Sequence, residues 1–228
     1  MTNRARLASV AVAVALAVLL AAGICICAEG EAKVSPLPAP SKEGKMSLEQ
    51  ALAGRRSIRS FKAEALTREQ ISQLCWAAQG ISDPKRGLRT SPSAGALYPL
   101  ELYVVTGEGV EHYVPKGHAL EKHREGDLRG KLQGAALGQS CVGKAPATFV
   151  IAAVVSRTQR KYGQRAERYV WMEVGHAAQN ILLQATALGL GAVPVGAFRD
   201  EEVAKALSLP ADHAPQYLIP VGVPEKRD

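Results

Sequence analysis

The sequence predicts an α+β fold in which a sheet is combined with helices. Three short runs are rich in β-branched and apolar residues, as strands are: LELYVVT at 100–106, FVIAAVV at 149–155 and YLIPVGV at 217–223. Between Arg168 and Leu188, apolar and small residues instead recur every three or four positions, which is the period of a long helix. Strand runs and a long helical stripe in one chain indicate a layered architecture.

The composition is that of a folded enzyme-sized domain. The chain has 228 residues, of which 47% are apolar, so it can bury one sizeable core. Only 5% of the residues are aromatic, which argues against a stacking platform for single-stranded nucleic acid. The formal net charge of +7 is spread along the chain and is not clustered. We therefore expect no nucleic-acid partner.

The N-terminal part of the chain differs from the rest. Arg4 and Arg6 precede an uncharged apolar run that ends at Ala28, which predicts a signal peptide or a membrane anchor at 1–28. Either one would place the rest of the chain outside the cytoplasm, exported to the periplasm or beyond, or attached to the membrane. Residues 29–46 contain three prolines and no apolar periodicity, which predicts a linker. The folded domain is then expected at 47–228.

Start and stop signals define the smaller elements of this domain. SLEQ at 47–50 and TREQ at 67–70 are capping-box patterns, and each predicts the start of a short helix. Residues 110–115, followed by Lys-Gly, predict a hairpin or edge element. A further short helix is expected at 200–207. Residues 118–145 are rich in Gly and Lys and are the segment best suited to form a lid.

Two cysteines remain outside the N-terminal segment, Cys75 and Cys141. Neither belongs to a CxxC or Cys/His cluster, so no metal site is predicted. Cys75 lies on the apolar face of a predicted helix, where a small core residue is the favoured interpretation. A disulfide between the two is permitted outside the cytoplasm, and the sequence leaves it open.

Three segments carry groups that can bind a ligand, although none is decisive alone. RRSIRSF at 55–61 offers three guanidinium groups and two hydroxyls to a phosphate, but a solvated basic face has the same pattern. SPSAGALYP at 91–99 lets backbone amides approach a ligand closely, as an ordinary turn of small residues also does. GLGAVPVGAF at 189–198 has the glycines of a nucleotide-binding turn, yet it follows a helix, which is the reverse of the Rossmann order.

In this order, and together with YLIPVGVP near the end, these segments resemble the nitroreductase family over residues 47–225. The segments VEHYVPKGHAL and KYGQRAERY resemble its SagB-type branch, the peptide-azoline (thiazole/oxazole) dehydrogenases. The resemblance implies the nitroreductase fold, with a mixed but mainly antiparallel central sheet flanked by helices. It also implies an intertwined homodimer that binds FMN at its interface and moves hydride between a donor such as NAD(P)H and an acceptor.

The resemblance further assigns roles to individual residues. It implies that the FMN phosphate and ribityl chain are held by Arg55, Arg56, Ser57 and Arg59. The partner subunit is implied to approach the flavin with Ser91, Ser93, Ala94, Gly95 and Ala96. Backbone amides are implied to face the flavin ring from the segment Pro194, Val195, Gly196 and Ala197. At the C-terminus, Arg227 with Lys226 is implied to complete the phosphate site.

Lys161 and Tyr162 resemble the Lys-Tyr pair that serves as base and proton relay in azoline oxidation. This sequence departs from that branch at Arg160, where the branch usually has Leu. An ordinary solvated loop therefore stays open as the alternative for this segment. The expected substrate is a small molecule or a modified peptide, and it would be of azoline type if the pair is catalytic.

The stripe of the predicted long helix also contains polar residues. For His176 a buried, hydrogen-bonded histidine is favoured over a proton donor. Glu173 and Asn180 are expected to bond across the dimer or to loop backbone. Turnover is itself open, since a flavin-binding protein without activity would have the same motifs. The predicted export also conflicts with NAD(P)H, a cytoplasmic reductant, as the donor.

Overall fold

The structure, a computed structural model, describes residues 34–225. The predicted leader at 1–28, Lys226 and Arg227 lie outside the described residues. The described strands are β1 (Val34–Pro36), β2 (Ile81–Asp83), β3 (Leu88–Arg89), β4 (Leu100–Thr106), β5 (Gly109–Val114), β6 (Ala119–Glu125), β7 (Ala147–Ala153), β8 (Gly191–Ala192) and β9 (Ala214–Gly222). The described helices are α1 (Leu48–Gly54), α2 (Arg68–Gln79), α3 (Arg129–Ala135), α4 (Ser140–Lys144), α5 (Val155–Tyr162), α6 (Ala166–Ala187) and α7 (Asp200–Leu207).

Seven of the described strands form one sheet in the order β1-β6-β5-β4-β7-β9-β8, while β2 and β3 form a separate hairpin. Neighbouring strands of the large sheet pair antiparallel. A parallel contact is made by an isolated bridge between Ser57 and Ala192. The predicted hairpin at 110–115 is confirmed as the pairing of β5 with β6. The mainly antiparallel sheet implied by the family resemblance is thus confirmed.

The sheet is the middle layer between two apolar clusters. Along β4, Leu100, Leu102 and Val104 point into one cluster, while Tyr103 and Val105 point into the other, because successive side chains of a strand alternate. Helices α2 and α6 cover the first face, and α3, α4 and α7 cover the second. The α+β class predicted from the sequence is confirmed by this arrangement.

Both predicted capping boxes are present. The Ser47 hydroxyl accepts from the backbone N–H of Gln50, and the Gln50 side chain accepts from the N–H of Ser47. Thr67 and Gln70 make the same reciprocal pair at the start of α2. The sequence pattern locates these two helix starts because both capping side chains lie within three residues of each other in the sequence.

The segment predicted as a linker at 29–46 is part of the fold from Val34 onwards. β1 pairs with β6, and the Leu37 N–H donates to the His118 carbonyl at 3.0 Å. The Ser72 hydroxyl donates to the carbonyl of Pro38 at 2.6 Å. Prolines do not prevent this pairing because β1 is an edge strand, which needs ladder bonds on one side alone. The expected start of the domain at residue 47 is therefore too late.

The structure also bears on the lid expected at 118–145 and on the two cysteines. Residues 118–145 form β6, α3 and α4, whose Leu132 and Val142 are fully buried, so they are not a loop lid. Cys75 and Cys141 are both buried and both free, so they do not form a disulfide. Within residues 34–225, no helix is long and apolar enough to cross a membrane.

Candidate functional site

The first ligand-binding segment lies beside the third. Ser57 bridges Ala192 in parallel, and the Ile58 N–H donates to the Ala192 carbonyl at 3.0 Å. Gly191 permits this approach, because a Cβ there would lie 2.8 Å from the Cβ of Ile58. Two segments that are far apart in the sequence thereby meet at one place.

An open cavity of about 460 Å³ lies at this junction. Its lining comes from four places in the chain: Arg55 and Ser57, Pro194, Tyr217, and the α6 residues Gly175, Ala178, Gln179 and Leu182. The Arg55 guanidinium makes no hydrogen bond or ion pair with any described residue, so its donors are available to a ligand. We call Arg55, Ser57, Pro194, Gly196, Ala197 and this cavity the arginine half-site.

The neighbouring arginines do not line the cavity. Arg56 donates from one guanidinium nitrogen to the carbonyls of Ala53 at 2.9 Å and Arg55 at 2.8 Å, so it satisfies backbone at the end of α1. Arg59 is exposed and makes no hydrogen bond or ion pair within the described residues. Burial raises the pKa of the Cys141 thiol, and the nearby charge of Arg59 opposes that rise.

The segment 194–197 presents two free amides. Val195 exchanges backbone hydrogen bonds with Leu218 at 2.8 and 3.1 Å, so its N–H is used by the sheet. Pro194 has no N–H. The exposed residues Gly196 and Ala197 have backbone N–H groups without a hydrogen-bond partner among the described residues. Of the four residues predicted here, these two offer donors to a ligand.

The second segment forms a strained loop. Gly95, Ala96 and Tyr98 have φ values of +62°, +54° and +46°. This left-handed region is unfavourable for residues with a Cβ, so two residues of the loop are held against their preference. Ala94–Ala96 forms a single 3₁₀ turn at the centre of the segment. Such strain persists where surrounding contacts over-determine the backbone.

Side chains of α6 help to keep the loop in this conformation. Glu173 accepts from the Ala94 N–H at 2.8 Å, and Asn180 donates to the Ser91 hydroxyl at 3.1 Å. Within the loop, the Ser93 hydroxyl accepts from the Tyr98 N–H at 2.9 Å. Burial raises the pKa of Glu173, while the hydrogen bonds from Ala94 and Ser93 act in the opposite direction. The expectation of a bond to loop backbone is confirmed for Glu173, whereas Asn180 donates to the Ser91 side chain and to the Ala77 carbonyl in α2.

Lys161 and Tyr162 lie against the same loop. A Cβ built on Gly95 would lie 2.9 Å from both the Lys161 Nζ and the Tyr162 Oη. The Tyr162 ring is held edge-on against Tyr169, with ring centroids 5.0 Å apart. Both residues belong to α5, so they lie on a helix and not on a loop, and Lys161 is exposed to solvent. We call Ser91, Ser93–Ala96, Lys161 and Tyr162 the loop half-site.

The two half-sites lie on different sides of α6. Gly175 and Ala178 face the arginine cavity, whereas Glu173 and Asn180 hold the loop. Residues two positions apart on a helix point about 200° away from each other, so these two sets stand roughly opposite. The cavity is lined by no residue of the loop half-site. A helix about 10 Å across therefore stands between them in one chain.

The outward face of α6 was wrongly assigned from the sequence. The predicted stripe included His176, but His176 is exposed, and its neighbours Trp171 and Met172 are 61% and 47% exposed. The buried stripe is shifted by about one position and contains Val170, Val174, Ala177, Ala178 and Ile181. Since Trp171 and Met172 put apolar side chains on the exposed face as well, periodicity could not locate the core side, and in the single chain His176 is exposed and not buried as expected.

Metal chemistry has no support in the described part of the chain. No group of three or more His, Cys, Asp or Glu side chains there could hold a metal ion.

Arg89, whose guanidinium lies 4.4 Å from the centroid of the Tyr98 ring, is a residue beside the loop that the sequence did not single out. What identifies Arg89 as a site residue is its contact with Tyr98, and the sequence around either residue does not reveal that contact.

Comparisons with known proteins give a consistent result. A family model described as the nitroreductase family matches residues 52–223. A protein of Methanocaldococcus jannaschii named "Putative nitroreductase" is 45% identical over 184 residues, which covers 78% of this chain and 91% of that protein. The crystal structure of a "putative nitroreductase" from Ralstonia eutropha has 33% sequence identity and a TM-score of 0.77, and the match covers 85% of this chain and 90% of that one.

The Escherichia coli microcin B17-processing protein McbC is similar over a shorter stretch. It is 30% identical over 150 residues, which is 61% of this chain. The match spans 55% of the length of McbC. The similarity thus covers about half of that protein.

Proposed function

Because this chain belongs to the nitroreductase family, we propose that it is an FMN-dependent oxidoreductase that moves hydride from a donor such as NAD(P)H to an acceptor. The observation that carries the cofactor assignment is the set of unpaired donors in the arginine half-site. The Arg55 guanidinium and the N–H groups of Gly196 and Ala197 have no partner among the described residues. A phosphate and a flavin ring are ligands that such donors fit.

Different residues of this half-site would bind different parts of FMN. Arg55 and Ser57 would hold the phosphate, since a guanidinium and a hydroxyl donate to its oxygens. The free amides of Gly196 and Ala197 would donate to the ring and stabilise negative charge on it. When bound, FMN supplies the hydride chemistry, and the protein supplies position and polarity.

We also propose that the site is completed in a homodimer. The two half-sites are separated by α6 in one chain, so a flavin in the arginine half-site meets a loop half-site most readily from a second copy. Exposed apolar side chains on two helices support this assembly: Trp171 and Met172 of α6 are 61% and 47% exposed, and Leu48 and Leu52 of α1 are 60% and 52% exposed. Apolar surface of this kind marks protein interfaces.

Two observations favour a second candidate function, a SagB-type dehydrogenase acting on an azoline or modified peptide. The first is the placement of the Lys161 amine and the Tyr162 hydroxyl against Gly95. The second is the match to a protein named for processing microcin B17. In this reading Lys161 accepts a proton from the substrate and Tyr162 relays it. With a plain nitroreductase activity, the same pair would border the acceptor without taking its proton.

The predicted leader at 1–28 keeps export or membrane attachment as a proposal. An enzyme outside the cytoplasm meets little NAD(P)H, so the donor would then be a different reductant. Fusing the first 46 residues to a reporter enzyme that is active only outside the cytoplasm tests this point. A reporter that stays inactive while the fusion is made at full length would contradict export.

The test of the proposed function is an absorbance spectrum of the purified chain, taken without oxygen before and after adding NADH or NADPH. A flavin spectrum that bleaches is the expected result. A flavin that stays oxidised with both donors but bleaches with dithionite would favour the dehydrogenase or a binding protein without turnover. A colourless protein that takes up no added FMN would contradict the proposal.

A further inference from the structure

Helix α5 is tied to the strained loop at two points. Lys161 reaches Gly95, and Arg157, one helical turn earlier on the same side of α5, reaches the far end of the loop. One guanidinium nitrogen of Arg157 donates to the Tyr98 carbonyl at 3.1 Å. The other lies 2.5 Å from a carboxylate oxygen of Glu101, at the start of β4. The loop thus lies against two points of one short helix and is bonded to it through Arg157.

The carboxylate that holds Arg157 is itself fixed. The second oxygen of Glu101 bonds to the His112 Nε2 at 2.6 Å, and the Glu101 side chain is 12% exposed. Burial alone would raise the pKa of Glu101, but the hydrogen bond from His112 and the charge of Arg157 outweigh it, so the pKa lies below its usual value. Glu101 is therefore a carboxylate near neutral pH, and its ion pair with Arg157 persists.

The bond to Tyr98 acts on a backbone that needs support. Tyr98 has a φ of +46°, a conformation that costs free energy for a residue with a Cβ. The carbonyl of the next residue, Pro99, accepts from the Val154 N–H at 2.8 Å, just before α5 begins. These bonds define the loop conformation relative to α5, and with it the position of Gly95 relative to Lys161 and Tyr162.

We propose that Arg157 is a positioning residue, which together with Glu101 holds the Lys161–Tyr162 pair and the strained 93–98 loop in one arrangement for catalysis. The proposal rests on the proposed function, in which this pair borders the flavin and substrate. Arg157 touches neither reacting group and acts through the loop and through α5. Displacing a reacting group by about 1 Å can cost on the order of a hundredfold in rate.

The first experiment compares Arg157→Met and Arg157→Lys with Arg160→Met as the matched control. Arg160 lies on the same helix, is exposed, and has no hydrogen bond or ion pair among the described residues. We expect Arg157→Met to lower kcat by roughly tenfold or more while KM for the donor and the FMN content stay unchanged. Arg157→Lys should recover part of the loss, and Arg160→Met should match the wild type. A loss confined to FMN content or KM would overturn the proposal.

Removing Arg157 alone leaves a buried carboxylate without its cation, which can prevent folding. The double variant Glu101→Gln/Arg157→Met removes both charges, and the amide oxygen of the introduced glutamine can still accept from His112. This variant should fold and show the same loss of kcat. If it folds with wild-type kcat, the proposal fails.

A double-mutant cycle separates this proposal from the proposed function. If Arg157 acts through Lys161, then Arg157→Met should add little to the loss caused by Lys161→Met. Losses that multiply would show that Arg157 acts elsewhere and would overturn the positioning role. If Lys161→Met alone keeps full turnover, the role of Lys161 fails, and the positioning role fails with it.

Hydrogen exchange of the full-length chain gives a readout that needs no turnover. Arg157→Met should speed the exchange of amides in residues 93–98, and Arg160→Met should not. Unchanged exchange in Arg157→Met would contradict the proposal even if the protein bound no FMN. Absence of FMN with faster exchange would contradict the proposed function and leave the structural link between Arg157 and the loop standing.

Discussion

The arginine half-site and the loop half-site use their polar groups in opposite ways. In the arginine half-site, the Arg55 guanidinium and the amides of Gly196 and Ala197 have no partner among the described residues. In the loop half-site, the amide of Ala94 and the hydroxyl of Ser93 are already bonded within the chain. The proposed function therefore assigns ligand binding to the first region and the positioning of side chains to the second.

Under the proposed function, this difference assigns binding and chemistry to different regions of the molecule. Unpaired donors on an open cavity gain most from a bound anion, because their bonds to it replace bonds to water. A loop whose polar groups are largely bonded within the chain gains less affinity from a ligand but fixes nearby side chains. Beside this loop, the Lys161 amine and the Tyr162 hydroxyl have no hydrogen-bond partner among the described residues. Substitutions in the two regions should therefore change different measured quantities.

The largest effect is expected from Arg55→Ala. Losing a charge-assisted hydrogen bond of about 1.5–3 kcal/mol should weaken FMN binding by roughly tenfold or more. Arg56→Ala is the matched control, because Arg56 donates to the end of α1 and should change FMN affinity by less than about threefold. Fluorescence titration of the flavin measures both. Equal losses in the two variants would contradict the assignment of Arg55.

Gly95→Ala should reduce turnover by roughly tenfold and leave FMN affinity nearly unchanged. The new Cβ would lie 2.9 Å from the Lys161 Nζ and the Tyr162 Oη, so both must move. Gly87→Ala is the control, since Gly87 has a similar φ of +67° but nothing within 4 Å of the added Cβ. The control carries the backbone strain without the displacement. Similar turnover in both variants would remove the pair from the chemistry.

A smaller effect is expected at Glu173. Glu173→Ala leaves the Ala94 N–H without its acceptor and should lower the free energy of unfolding by about 1–3 kcal/mol. Glu173→Gln keeps an acceptor and removes a buried charge, so its stability at neutral pH should equal or exceed that of the wild type. Urea unfolding of the three proteins measures the difference. A Gln variant as unstable as the Ala variant would show that the charge itself matters.

The smallest effect is expected in the loss of stability at low pH, through Glu101. The pKa of Glu101 lies below its usual 4.5, so its ion pair stabilises the fold above that pH and is lost as pH falls through the lowered pKa. Glu101→Gln should therefore flatten the fall of stability below about pH 4.5. Unfolding midpoints measured at pH values from about 3 to about 7 give the slope of stability against pH. A variant with the wild-type slope would locate the acid sensitivity elsewhere.

The sequence predicted the features that depend on local chemistry. The capping boxes at Ser47 and Thr67 and the helix at 200–207 are confirmed because neighbouring residues determine them. Features that depend on distant partners were missed. The edge strand β1 needs β6, and the outward side of α6 follows from what packs against it.

The candidate site was predictable to a similar degree. The three ligand-binding segments are visible as motifs, and the family resemblance ordered them. Which donors in them are free was not predictable, since Arg55 and Arg56 are identical in type and differ in what lies beside them. The bond from Arg157 to Tyr98 links residues 59 positions apart, and no local pattern indicates it.

In the proposed homodimer, one active site combines the arginine half-site of one subunit with the loop half-site of its partner. Mixing Arg55→Ala with Lys161→Met subunits, after dissociation and reassociation and at an FMN concentration too low to fill the Arg55→Ala half-site, tests it directly. If the halves come from different subunits, each mixed dimer has one intact site, and about a quarter of wild-type activity should return after random pairing. Mixtures that form dimers but stay as inactive as the separate variants would contradict the claim.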